Sequence, residues 1–250
     1  MSGHSKWATI KHQKGAKDKA RGKLFAKLIR QIEVAAREGG GDLTANATLR
    51  TMVAKAKAAS VPNDTIDRAI KRGTGELEGV TYESIMYEGY GPGGVAILVD
   101  VLTDNRNRAG AEVRNIFSRS GGSMAEPGSV AWQFSRTGIV LVPKRFAEDD
   151  VMMAALEAGA DDIVDEGDIW RVTCEPGAVE AVREALEAAG IEVTSAESTM
   201  ISSTSVPLDT AEDAKRVLRV MDALEEHDDV QDVYANFDIP DAVLDAVEAV

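Results

Sequence analysis

The chain has 250 residues, with 42 acidic against 28 basic side chains, three histidines and one cysteine, Cys174. A formal charge of −14 sits beside 44% apolar residues, enough to pack two or three small domains. One cysteine excludes a disulfide framework and a CxxC zinc site, the histidines have no HExxH spacing, and no apolar run approaches the roughly 20 residues that span a bilayer.

The net charge conceals a strong segregation. Residues 1–75 carry 16 basic against 6 acidic groups, a balance of +10; residues 76–145 balance at −1, and residues 146–250 at −23. In the first thirty residues Lys6, Lys11, Lys14, Lys17, Lys19, Arg21, Lys23, Lys27 and Arg30 meet one acid, Asp18. Trp7 and Ile10 are the sizeable apolar groups of the first fifteen, so this arm cannot bury a core of its own. A lysine run is often a solvated face. Segregation, and the planar groups His4, Trp7 and His12, which can stack on bases, point instead to nucleic acid. No apolar secretory core follows the basic start, so the cytoplasm is the expected location.

In chain order, a first helix is expected from about Ala16 to Arg37, with Leu24, Leu28 and Ile32 on one stripe, stopped by Gly39-Gly40-Gly41. Asp42 or Thr44 would cap a second, running to about Ala59; Val61-Pro62 breaks it. Asn63 would cap a third over Asp64–Arg72, closed by Gly73. At Val80 the grammar changes. Tyr82–Tyr90 reads as an edge strand, Gly94–Leu102 as a central one, Arg108–Ser120 as a helix, and Val130–Phe134 with Gly138–Val142 as a hairpin across Ser135-Arg136-Thr137. A second unit follows: a helix over Asp149–Ala158, strands at Asp162–Val164 and Ile169–Cys174, a helix over Ala178–Ala189 and a strand over Ile191–Glu197. Residues 209–237 add a helix and strand with no sheet of their own, and are expected to complete the unit begun at Tyr82. The expected class is α+β: a three-helix domain (1–75), then two related ferredoxin-like α+β domains, one of residues 76–146 plus 205–250 and a second, acidic one (147–204) inserted in it.

Three stretches stand out. Tyr87–Gly94 is glycine-rich but leads into a strand and lacks GxxxxGK[ST], so it reads as a tight turn. Asp104-Asn105-Arg106-Asn107-Arg108 could hold phosphate or merely cap a helix. Ser118–Trp132 is a Gly/Ser-rich loop. No nucleophile–base pair is found, and no catalytic, metal or cofactor site is expected. Cys174 reads as a buried small hydrophobe, and acid clusters such as Asp161-Asp162 and Asp228-Asp229 as solvated faces.

Those residues resemble the YebC/PmpR family. The likeness rests on Gly3-His4-Ser5-Lys6-Trp7 with Ile10-Lys11-His12, Pro62-Asn63-Asp64 with Arg68–Gly73, Tyr87–Gly94, Asp104–Arg108 and Gly128-Ser129-Val130. Ala109 departs from it, standing where a capping threonine is expected. The resemblance implies a helical N-terminal domain with two α+β domains and a regulator of gene expression, either a DNA-binding transcriptional regulator or a ribosome-associated translation factor on ribosomal RNA. Mitochondrial relatives activate translation of a cytochrome oxidase subunit. The expected contacts are His4, Lys6, Trp7, Lys11, His12, Lys14, Lys17, Lys19, Arg21, Lys23, Lys27, Arg30, Lys55, Lys57, Arg68, Lys71, Arg72, Arg106 and Arg108. A lysine-rich arm suits irregular RNA better than a duplex groove. An adaptor that binds protein through its acidic domains is the third reading. The oligomeric state is left open, with a monomer favoured, and no membrane partner is expected.

Overall fold

A computed structural model describes residues 18–248. Helices α1 (Asp18–Gly39), α2 (Ala47–Ala58) and α3 (Asn63–Thr74) pack first. Leu28, Ile32, Ala35 and Ala36 of α1 meet Leu49, Val53 and Ala56 of α2 and Ile66 and Ala69 of α3 in a buried cluster. Neither Asp42 nor Thr44 caps α2. Asn46 does so, its Oδ1 accepting the Leu49 amide at 2.9 Å while its Nδ2 donates to the Ala35 and Gly40 carbonyls. Asp42 instead closes a local turn onto Thr44. Asn63 lies inside α3, which has no side-chain cap, and Gly73 does not end it. Gly73 is where α3 crosses α1: a Cβ there would lie 2.4 Å from the Glu33 carbonyl oxygen. Gly75, at φ +84°, is the left-handed stop.

Strands β1 (Glu83–Tyr90) and β2 (Ala96–Thr103) then pair antiparallel across a short turn at Pro92–Gly94, followed by α4 (Arg106–Arg119) and the short β3 (Ser123–Met124). The glycine-rich stretch is the expected tight turn. Asn105, not the residue at 109, caps α4 by accepting the Arg108 amide; Ala109 is buried in the core and has no capping role to fill.

The expected hairpin does not form. Ser135-Arg136-Thr137 lies inside one ten-residue strand, β4 (Phe134–Pro143). The triplet supplies none of the Asn-Gly or Asp-Gly pairs that fold a tight hairpin. Gly138 is a packing glycine, since a Cβ there would meet Val179 Cγ2 at 2.5 Å and Cys174 Sγ at 2.6 Å. β4 joins a second sheet with α5 (Glu148–Glu157), β5 (Ala160–Asp165), β6 (Ile169–Cys174), α6 (Val179–Ala188) and β7 (Ser195–Ser202), in strand order β5-β6-β4-β7. That sheet therefore takes its strands from Phe134 onward, ahead of the expected boundary near Ala147. The strand expected over Ile191–Glu197 shifts to β7. Gly190, at φ +78°, ends α6, and Ile191 donates its amide back to Leu186 and plugs the core, so it belongs to the helix cap.

After β8 (Val206–Pro207), helix α7 (Ala211–Glu225) and strand β9 (Val230–Ala235) return to the first sheet. β9 lies antiparallel to β2 and completes the order β3-β1-β2-β9, so the second α+β layer is inserted in the first. β10 (Phe237–Asp238) pairs with β8, and α8 (Asp241–Glu248) closes the described chain. Ile97, Val99 and Val101 pack on α4 and α7; Ala96 and Leu98, on the opposite face, pack on Phe134 and Tyr234.

Candidate nucleic-acid interface

One face of α1 is basic, and it meets the carboxyl end of α7. The ammonium of Lys23 donates to the Glu226 carbonyl at 2.5 Å, that of Lys27 to the Glu225 carbonyl at 3.1 Å, and Arg30 to the Asp228 carbonyl at 2.7 Å. The last turn of a helix leaves carbonyls without intrahelical donors and carries the negative end of the macrodipole. Three cations at i, i+4 and i+7 supply what that end lacks.

Asp229 is the centre of this seam. It is 4% exposed, and its carboxylate accepts from Arg30 at 2.9 Å, from Arg108 at 2.8 Å and from the Thr103 hydroxyl at 2.8 Å. Burial pushes its carboxyl up, but the hydrogen bonds from Arg108 and Thr103 and the charges of both guanidiniums outweigh this and hold it below the usual range. Hydrogen bonds to Asp229 and then Asp104, with the charges of both carboxylates, drive the Arg108 guanidinium further up. Beside it His227 accepts the Asp229 amide through Nδ1 and meets Glu112 through Nε2 at 2.7 Å. Arg37 extends the seam to the Val80 carbonyl.

The expected contact residues thus divide. His4, Lys6, Trp7, Lys11, His12, Lys14 and Lys17 lie outside the described residues; Lys19 and Arg21 fall at the start of α1. Lys23, Lys27, Arg30 and Arg108 converge on the carboxyl end of α7. Arg72 is held by the buried Glu33 at 2.5 Å. Lys55, Lys57, Arg68 and Lys71 are exposed on α2 and α3, with no ion pair to another described residue, and Arg106 is exposed at the start of α4. The reading of Asp228-Asp229 as a solvated face holds for Asp228 alone. Asp229 is buried because two cations and a hydroxyl satisfy it. The sequence held one signal of this: acids just beyond a helix carboxyl end oppose the macrodipole and call for cations nearby.

Another buried carboxylate, Glu88, was not foreseen. Glu88 accepts the amides of Gly128 and Val130, each at 2.6 Å, and of Ala131 at 2.8 Å, which explains why Tyr87–Gly94 and Gly128-Ser129-Val130 both look too specific to be filler. Burial pushes Glu88 up, and these backbone donors more than reverse it. The loop so held presents Trp132, 70% exposed, with its indole N–H on the Ser129 carbonyl; the Tyr90 hydroxyl donates to the same oxygen. Among the described residues no group of three or more His, Cys, Asp or Glu could hold a metal ion, and no helix is long and apolar enough to cross a membrane.

A helical basic unit ahead of two interlocked α+β layers is the architecture of a known class of regulatory proteins. Residues 5–76 match the TACO1/YebC protein N-terminal domain, and residues 82–237 match the TACO1/YebC second and third domain. The chain belongs to the TACO1/YebC family. A probable transcriptional regulatory protein of Corynebacterium glutamicum is 58% identical over 250 residues, spanning 99% of both chains. Proteins of the same description from Salinispora arenicola and Halothermothrix orenii are 57% and 52% identical, over 98% and 99% of both chains. The crystal structure of a conserved hypothetical protein from Aquifex aeolicus matches 91% of this chain and 96% of that one, with a TM-score of 0.79 at 43% identity.

Proposed function

We propose that this protein regulates gene expression by binding nucleic acid through its basic arm and helical unit, and that its target is structured RNA, ribosomal RNA in particular. The observation that carries this is the charge left over after internal pairing. Lys55, Lys57, Arg68 and Lys71 stay exposed on the helical unit and are not paired with described acids, while residues 146–250 balance at −23. A polyanion attracts one end and repels the other, which orients the molecule as well as binding it.

The names of the relatives favour the second reading, transcriptional control through DNA. At twelve residues α3 is longer than the sequence suggested, long enough to lie in a major groove. Its chemistry argues against that use. Asp64 and Asp67 stand on its N-terminal half, where recognition helices meet base edges between phosphates.

Competition at fixed salt among a promoter fragment, random duplex and ribosomal RNA separates the readings. RNA is expected to win. A promoter preference of about 10³ over random duplex would establish the transcriptional mechanism instead. Contact with about six phosphates gives a log–log salt slope of roughly −4 to −5. A flat response to salt would leave the protein-binding adaptor.

A further inference from the structure

We infer that the carboxyl end of α7 is a built-in competitor for the polyanion: it occupies the basic face of α1, and nucleic acid must displace it to reach Lys23, Lys27 and Arg30. The inference rests on the nucleic-acid reading above and says how that site is held in check.

The acceptors at and just beyond the end of α7 mimic what a phosphate backbone offers. Three main-chain carbonyls, of Glu225, Glu226 and Asp228, and the Asp229 carboxylate line up along three cations spaced i, i+4 and i+7. The acidic side chains of Glu225, Glu226 and Asp228 surround them in sequence. The same face of α1 cannot serve both partners at once.

The seam is built to open. The buried cluster of the helical unit and the cluster that contains α7 share no residue, and the named links across the seam are polar. Polar joins between units of one chain favour relative motion. The outer link, Lys23 with Asp228, has side chains 37% and 73% exposed, so water and salt reach it. The inner link leaves no orphan when it breaks. If Arg30 departs, Asp229 keeps Arg108 and the Thr103 hydroxyl, and Arg108 keeps Asp104 as well. Arg30 itself, freed from Asp229, gains a phosphate. Opening therefore exchanges one set of charge-assisted bonds for another, and the apparent affinity for nucleic acid is lowered by the fraction of molecules in which the face is closed.

The test uses the full chain and a fluorescein-labelled RNA hairpin. In the wild type, hydrogen exchange at the amides of residues 224–230 is expected to speed up when the RNA is added. Asp229→Asn is expected to tighten RNA binding at least about fivefold, the lower end of ordinary coupling between sites. Asp228→Asn, exposed and harmless to folding, should tighten it about twofold, the size of an exposed pair. Glu212→Gln, at the opposite end of α7, removes the same charge and should not share these gains. If Asp229→Asn fails to fold, the wild-type exchange and the comparison of Asp228→Asn with Glu212→Gln decide. RNA binding that leaves 224–230 protected, with both Asp228→Asn and Asp229→Asn no tighter than Glu212→Gln, overturns the inference while the nucleic-acid reading stands. RNA binding by neither the wild type nor Asp229→Asn overturns both. Binding by Asp229→Asn alone supports both.

Discussion

Glu88 and Asp229 are both buried carboxylates, 6% and 4% exposed, and they hold different kinds of structure. Glu88 spends its oxygens on three backbone amides of one loop, all within the first α+β layer. Asp229 spends its oxygens on side chains from three places: Arg30 of the helical unit, Arg108 of α4 and Thr103 at the end of β2. Backbone donors have nowhere else to turn when their acceptor leaves. Side-chain donors can swing to water or to another anion. The first carboxylate therefore fixes a shape, and the second joins units in a way that can be exchanged.

The largest expected effect breaks the first member of the pair. Glu88→Ala strands three amides, each worth about 1–3 kcal/mol when left unsatisfied, so a loss of about 3 kcal/mol or more is expected from urea unfolding. A loss under about 1 kcal/mol would mean that water replaces the carboxylate and the loop is not fixed by it. Asp229→Asn should cost less, about 1–2 kcal/mol, because Arg30 and Arg108 both retain access to solvent. Raising the salt should shrink the second loss and leave the first nearly unchanged.

Acid sharpens the comparison through a third carboxylate. Glu88 and Asp229 both have carboxyls held below their ordinary values, so each contributes stability above its unfolded pKa. That stability is lost as pH falls from about 4 through the folded value. Asp100 has the opposite sign. Burial, and then Asp232 directly across the β2–β9 ladder, push its carboxyl up, with the charge of Arg136 offsetting part of this. Its ionisation costs stability at neutral pH, and that cost disappears on acidification. Asp100→Asn should therefore raise stability at pH 7 by about 0.5–1 kcal/mol, the size of a cross-strand charge pair. The gain should vanish below about pH 4. A gain that persists in acid would assign the effect to packing.

Much of the fold was legible because its signals are local. The apolar run of β2 gave a central strand, and the helix and strand at residues 209–237, lacking a sheet of their own, pointed back to the first one. β4 was misread because a polar triplet looks like a turn, whereas Ser135, Arg136 and Thr137 pair in register with Ile201, Met200 and Thr199 of β7. The candidate site could be proposed from charge, but its internal pairing could not be read. Arg30 and Asp229 stand 199 positions apart and Glu88 and Gly128 40, beyond any periodicity. Half of the basic stripe of α1 therefore read as free when the fold ties it to α7.

The smallest expected change separates two arginines of one motif. Arg108 is tied to Asp104 and Asp229, so Arg108→Ala should destabilise the seam. Arg106, two residues earlier, is exposed, and no ion pair joins it to another described residue; its main-chain carbonyl accepts the Tyr87 hydroxyl, which alanine preserves. As a cation in the first turn of α4 it opposes the helix macrodipole, so Arg106→Ala should leave unfolding unchanged within about 0.5 kcal/mol or improve it slightly. Such a cation is free to meet a ligand outside the fold. If that ligand is a phosphate, Arg106→Ala should reduce the magnitude of the log–log salt slope for RNA by about 0.7. An unchanged slope would confine the whole motif, from Asp104 to Arg108, to capping α4 and holding Asp229.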